Sequence, residues 1–146
     1  MSSVVGTRPV IGPTAGYHPA LLLVGRILLA AVFLVAGIRK VMAVAGTVGY
    51  FTKLGLPMPD VMVYVAMVIE IGGALLLITG WKSRFAAWVL MIFVLIATFY
   101  AHRFWEISDA AQYGNQLNHF LKNFAIIGGL LFVAACGPGS MSVEKT

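Results

Sequence analysis

The sequence predicts an all-α integral membrane protein, a bundle of four transmembrane helices. Of its 146 residues, 60% are hydrophobic and only 10% are charged, whereas about 25% of the residues in a soluble domain are charged. The mean hydropathy of +0.94 points the same way. A membrane-spanning helix needs about 20 mostly apolar residues, so four such helices with short connections account for most of the chain.

Apolar runs and helix-breaking residues set the boundaries of the predicted elements. We predict one membrane domain over residues 20–137, with helices at about 20–45, 61–80, 84–102 and 116–136. Residues 1–19 are predicted to be a flexible N-terminal tail because prolines and glycines recur there, and 138–146 are predicted to be a C-terminal tail. An even number of spans places both termini on one side of the membrane.

The first helix follows Pro19, a residue that suits the first turn of a helix. Arg26, Phe33 and Lys40 are spaced by seven residues and therefore fall on nearly one helix face, which we expect to look into the bundle. Residues 46–60 contain glycines and prolines and are predicted as a loop, with a short interfacial helix left open as an alternative.

The second and third helices are separated by a tight basic turn. Glu70 lies about ten residues from either end of the second helix, near the middle of the bilayer. Lys82 and Arg84 occupy the turn, and short loops of this kind follow the positive-inside rule best, so we expect cytoplasmic termini. Residues 85–101 of the third helix carry no charge, and this run ends beside His102.

The fourth helix needs polar residues to reach across the membrane. Its uncharged run, 124–136, would rise only about 20 Å, short of the ~30 Å hydrocarbon core. We therefore extend it back to about residue 116, which brings His119, Lys122 and Asn123 into the helix. The sequence Gly137-Pro138-Gly139 then ends it.

Polar residues inside the spans indicate a candidate site, because ionisable groups at membrane depth are costly and usually face a partner or a cavity. We predict catalytic roles for Glu70, His102 and Lys40, and ligand-binding roles for Arg26, Phe33, His119, Lys122 and Asn123. Structural ion pairs and snorkelling of the cations to headgroups are the alternatives. We predict no metal site, since two histidines here lack a firmly spaced carboxylate.

Composition also excludes some classes of function. The single cysteine, Cys136, rules out dithiol exchange within this chain. The net charge of +5 is scattered beside apolar segments, which suits anionic lipid headgroups and not a nucleic-acid surface.

The order and spacing of these residues over about 21–143 resemble the DoxX family. The shared pattern comprises Arg26, Phe33-x-x-x-Gly37-x-x-Lys40, Gly55-Leu56-Pro57, Glu70-x-Gly72-Gly73, a basic turn after Gly80, His102, Asn123 before Gly128-Gly129, and Gly137-Pro138-Gly139. DoxX-like proteins are small four-helix proteins of the bacterial inner membrane, and the family takes its name from a subunit of a thiosulfate:quinone oxidoreductase.

That resemblance implies a quinone-linked redox subunit that binds a quinone or similar hydrophobic molecule between its helices, with a redox partner protein to deliver electrons. The chain itself has no dinucleotide fingerprint or haem motif. Two other functions stay open: a non-enzymatic accessory or scaffold protein of a larger membrane complex, and a small-molecule transporter that works as a homo-oligomer.

Overall fold

The computed structural model describes residues 18–144, so the prediction for residues 1–17 lies outside the described part. The described chain is all-α, which confirms the predicted class. Four of its helices are long and apolar enough to cross a membrane. The elements are α1 (Pro19–Met42), α2 (Val44–Lys53), α3 (Pro59–Thr79), α4 (Ser83–Ala101), a short 3-10 helix (Phe104–Glu106) and α5 (Ala110–Cys136).

The first predicted helix is interrupted at Ala43, where the backbone leaves the helical region with φ −139° and ψ 51°. The chain then resumes as α2, so most of the predicted loop up to Lys53 is helical. The alternative of a short helix in this stretch is therefore the one that the structure shows. α2 packs on α1 and α3.

The last helix begins at Ala110, six residues before the predicted start at about 116. Its N-terminus is capped by Asp109, whose side chain accepts a hydrogen bond of 2.9 Å from the Gln112 backbone N–H. Such a cap satisfies a backbone donor that the helix itself leaves free. With 27 residues, α5 is about 40 Å long and exceeds the hydrocarbon thickness.

The four long helices pack in the spatial order α1, α3, α4, α5, with a lesser contact from α5 back to α1. Their core contains small residues as well as large ones, including Ala30, Ala74, Ala86 and Ala87 beside Phe33, Leu77, Leu90 and Leu130. Small residues let helix backbones approach closely in lipid, where packing drives association. The outer faces carry large exposed apolar side chains such as Val68 and Phe132, as expected for surfaces that meet lipid tails.

The close approach of α3 to α4 depends on Gly73. A Cβ at this position would lie 2.8 Å from two side-chain atoms of Leu90, and Leu90 is fully buried. The neighbouring Gly72 has open space where its Cβ would be.

Gly73→Ala is therefore expected to lower the free energy of unfolding by about 2 kcal/mol, because overpacking a tight core forces its neighbours to move. Gly72→Ala is the matched control and should be neutral or slightly stabilising, since alanine is the better helix former. Unfolding in mixed detergent micelles measures both. Equal losses in the two variants would contradict this account of the contact.

The C-terminal segment folds back onto the turn between α3 and α4. The Val143 N–H donates to the Thr79 carbonyl over 2.9 Å, and the Glu144 carboxylate accepts from the Lys82 N–H over 2.8 Å. Pro138 at its start is buried. The predicted tail is thus packed against the bundle as far as Glu144.

Candidate functional site

A cavity of about 800 Å³ lies between the C-terminal end of α1, α2, the first half of α3 and the second half of α4. Each helix contributes one face. On α2, Thr47, Tyr50, Phe51 and Leu54 line the cavity, and their spacing of three and four residues places them on one side of the helix. The cavity separates α2 from α4, and its walls are mostly apolar.

The polar end of the cavity is an ion pair between α1 and α3. Lys40 Nζ lies 2.8 Å from Glu70 Oε1, and both residues line the cavity. The Glu70 side chain is 5% exposed and that of Lys40 is 20% exposed. Within residues 18–144 the second carboxylate oxygen, Oε2, has no hydrogen-bond partner. Two of the three residues predicted to be catalytic, Lys40 and Glu70, therefore lie in contact, and one buried carboxylate oxygen is left without a partner among the described residues.

His102 lines the cavity directly after α4. Its Nδ1 lies 2.7 Å from Gln116 Oε1, and an amide oxygen only accepts hydrogen bonds, so this contact places a proton on Nδ1. The His119 ring stacks on the His102 ring with centroids 5.1 Å apart. His119 thus contacts a cavity residue but is not part of the wall.

The other predicted α5 residues lie away from the cavity. The Asn123 side-chain amide donates a hydrogen bond of 2.9 Å to the Thr98 hydroxyl and so joins α5 to α4. Thr98 is fully buried, so this is a packing contact inside the bundle. Lys122 is exposed on α5, and the cavity is formed by residues 36–102. Phe33 is packed in the hydrophobic core.

Arg26 lies at the opposite end of the bundle from Lys40. Its side chain is 1% exposed and donates to the backbone carbonyls of Leu77 at 2.8 Å and Ile78 at 3.3 Å. It also donates to the Met141 carbonyl in the C-terminal segment. The guanidinium therefore caps the end of α3, where free carbonyls carry partial negative charge, and fastens the C-terminal segment.

The sequence reasoning missed the α2 wall and Gln116. The sequence does contain a pattern that predicts this face of α2. Its residues follow the i, i+3, i+4, i+7 spacing of one helix face: Thr47, Tyr50, Phe51 and Leu54. Tyr50 lies outside the membrane-spanning helices, and burial raises the pKa of its phenol above the ordinary value.

The cavity lies in the part of the chain that a known family shares. The family model described as DoxX matches residues 21–103, more than half of the sequence. The chain belongs to the DoxX family. The match contains every residue of the cavity wall, which extends from residue 36 to residue 102. It ends before α5, so His119, Lys122 and Asn123 lie outside the part of the chain that the DoxX model covers.

Three curated relatives illustrate how far the DoxX similarity extends. "Inner membrane protein YphA" of Escherichia coli is 35% identical over 88% of this chain and 91% of its own length. "Inner membrane protein YqjF" of the same organism is 35% identical over 84% of this chain and 88% of its own. A "Surfeit locus protein 4 homolog" of Schizosaccharomyces pombe is 28% identical over 53% of this chain and 26% of its own. No solved structure matches the chain.

The described residues bring together no group of three His, Cys, Asp or Glu side chains that a metal ion would need. The candidate site of residues 18–144 is the apolar cavity with the Lys40–Glu70 ion pair. An apolar pocket with a few convergent polar groups is the usual form of a small-molecule site.

Proposed function

We propose that the protein binds a quinone or similar small aromatic molecule within its helix bundle, as the membrane subunit of a quinone-linked oxidoreductase. The single observation that carries the proposal is the apolar cavity closed at its inner end by Lys40 and Glu70, 2.8 Å apart. A volume of about 800 Å³ is in the range of sites that hold a ring with part of its chain.

The polar groups of the cavity suit proton transfer. A quinone takes up two protons with two electrons when it is reduced. Glu70 at the inner end is a carboxylate paired with the Lys40 ammonium, so in this proposal Lys40 gives a proton to Glu70 and Glu70 passes it to the reduced ring oxygen. His102, whose Nδ1 faces the Gln116 oxygen, supplies an imidazole, the side chain best suited to carry protons near the membrane surface. Electrons would come from a partner protein.

We further propose that the protein lies in a bacterial inner membrane with its termini in the cytoplasm. The relatives YphA and YqjF, both named as inner membrane proteins of Escherichia coli, support this location. The basic turn that carries Lys82 and Arg84 supports the orientation, because cytoplasmic loops are enriched in such residues.

Copurification tests the binding function. We expect wild-type protein, purified in mild detergent, to carry a small aromatic molecule that absorbance and mass spectrometry detect. Glu70→Gln and Lys40→Ala should lose most of it, at least about tenfold, because each removes a polar partner at the inner end of the cavity.

The matched controls are Asp60→Asn in the first turn of α3 and Lys53→Ala in the last turn of α2, neither of which lines the cavity. Both should retain the molecule. Folded wild-type protein with nothing bound, or equal loss in the control variants, would contradict the proposal.

The second candidate is a non-enzymatic accessory protein. The observation that favours it is that Lys40 and Glu70 already neutralise each other across α1 and α3, as a purely structural pair would. In that case substitution of either residue would impair folding or assembly of a complex. A double variant in which Lys40 and Glu70 are both replaced by neutral residues, and in which the fold is intact, would then keep the function as well.

A further inference from the structure

The cavity is open toward the lipid. Ile92 and Ile96 on α4 line it and are also 56% and 53% exposed. Ile92 is the tenth of the 19 residues of α4, so this exposed wall lies near the middle of the membrane. The opening between α2 and α4 therefore meets lipid tails.

The end of the cavity near the membrane surface is spanned by a side chain. Arg103 Nη2 donates a hydrogen bond of 3.0 Å to the Leu54 carbonyl. Leu54 lines the cavity at the end of α2. This bond joins α2 to the segment that follows α4. A ligand that comes from the bilayer and enters between α2 and α4 leaves the hydrogen bond between Arg103 and Leu54 intact.

The inner end of the cavity offers both a donor and an acceptor. The Lys40 ammonium has three N–H groups and gives one to Glu70. Glu70 Oε2 is buried and has no hydrogen-bond partner within residues 18–144, and leaving a buried acceptor unpaired is costly. Once the Glu70 carboxyl group turns its buried Oε2 toward the cavity, a hydroxyl satisfies both groups, since it donates to Oε2 and accepts from Nζ, whereas a ketone or an ether only accepts. Phe51 and Phe93 in the wall suit an aromatic ring.

We propose that the cavity takes a hydroxyl-bearing aromatic amphiphile from the bilayer, through the opening between α2 and α4, and binds its hydroxyl between Glu70 and Lys40. A hydroquinone belongs to this class, so this proposal rests on the proposed function and adds that the reduced, hydroxyl form is preferred. The preference distinguishes it from binding through apolar contacts alone.

The test compares para-nonylphenol with its methyl ether, which has the same ring and chain but no donor. Titration calorimetry on the protein in lipid nanodiscs, with empty nanodiscs subtracted, should show the phenol binding about tenfold more tightly. Glu70→Gln should bring the two affinities to within about twofold, because the amide presents a donor where the carboxylate presented an acceptor.

The other possible results of these titrations would contradict different parts of the proposal. Equal affinities for the two compounds in wild-type protein would overturn the hydroxyl preference and leave the binding function standing. No binding beyond empty nanodiscs would overturn both. A preference that persists in Glu70→Gln would overturn the role of Glu70, and the wild-type ratio decides the hydroxyl preference even if that variant does not fold.

The entry route is tested by Ile92→Trp, which fills the opening. It should slow the association of both compounds about tenfold, measured by stopped-flow mixing with the nanodiscs, because a blocked entrance acts on the association rate. Leu75→Trp is the matched control, because Leu75 is also about half exposed, at 52%, and does not line the cavity. An unchanged association rate in Ile92→Trp, or equal slowing in Leu75→Trp, would overturn the lateral route.

Discussion

Replacing Arg26 with methionine is expected to lower the free energy of unfolding by about 3 kcal/mol. The guanidinium is buried and donates to the carbonyls of Leu77 and Ile78 at the end of α3 and of Met141 in the C-terminal segment. Methionine keeps much of the packing volume but donates to none of them. The three carbonyls would then lose a charged donor inside the bundle, where water replaces it poorly.

Unfolding in mixed micelles of detergent and dodecyl sulfate gives this free energy. Arg39→Met is the control, because Arg39 is exposed at the end of the same helix and should change stability little. Limited proteolysis should also cut the C-terminal segment faster in Arg26→Met. Similar stability of the two variants would show that Arg26 does not hold α3 and the segment together.

Replacing Lys40 with methionine is expected to cost about 3 kcal/mol, because it leaves the carboxylate of Glu70 buried without its cation. Adding Glu70→Gln to this variant removes the unpaired charge. The double variant should therefore recover most of the loss and be more stable than Lys40→Met alone. The two changes interact because their side chains are in direct contact.

The same unfolding measurement on both single variants and the double variant gives the coupling energy. A double variant as unstable as the sum of the single changes would contradict direct pairing. The double variant also separates the two candidate functions. A stable bundle that has lost its copurifying molecule supports the binding site, whereas a stable bundle that retains full function supports the structural role.

The spans could be predicted from the sequence because each one is a long apolar run. The central position of Glu70 in α3 also follows from counting residues. The break at Ala43 could not be predicted, since no proline or glycine marks it. Its cause lies in the tertiary structure, where α2 turns aside to pack on α1 and α3.

The early start of α5 could have been predicted. Asp109 precedes Ala110 and is followed three residues later by Gln112, a spacing typical of a helix N-terminus. The predicted start of this helix was set by the apolar run further along the chain, so the polar first turns of α5 were left out. Hydropathy finds the part of a helix in lipid but not the part that projects beyond it.

The candidate site was predictable only in part. Ionisable residues at membrane depth identified Glu70 and Lys40, and the structure joins them. The sequence does not show that Arg26 reaches carbonyls more than 50 residues away, or that Asn123 pairs with Thr98 inside the bundle. Such choices depend on how the helices rotate against each other, which residue spacing along a single helix leaves undetermined.

Photo-crosslinking tests the central claim, that the cavity binds a small aromatic molecule, most directly. A quinone analogue that carries a diazirine would be activated in nanodiscs that contain the wild-type protein, and the labelled peptides mapped by mass spectrometry. The account predicts labels at cavity residues such as Phe51 and Phe93, removed by excess unlabelled quinone. Labels spread over outer residues such as Val68 and Phe132, and unchanged by excess quinone, would contradict it.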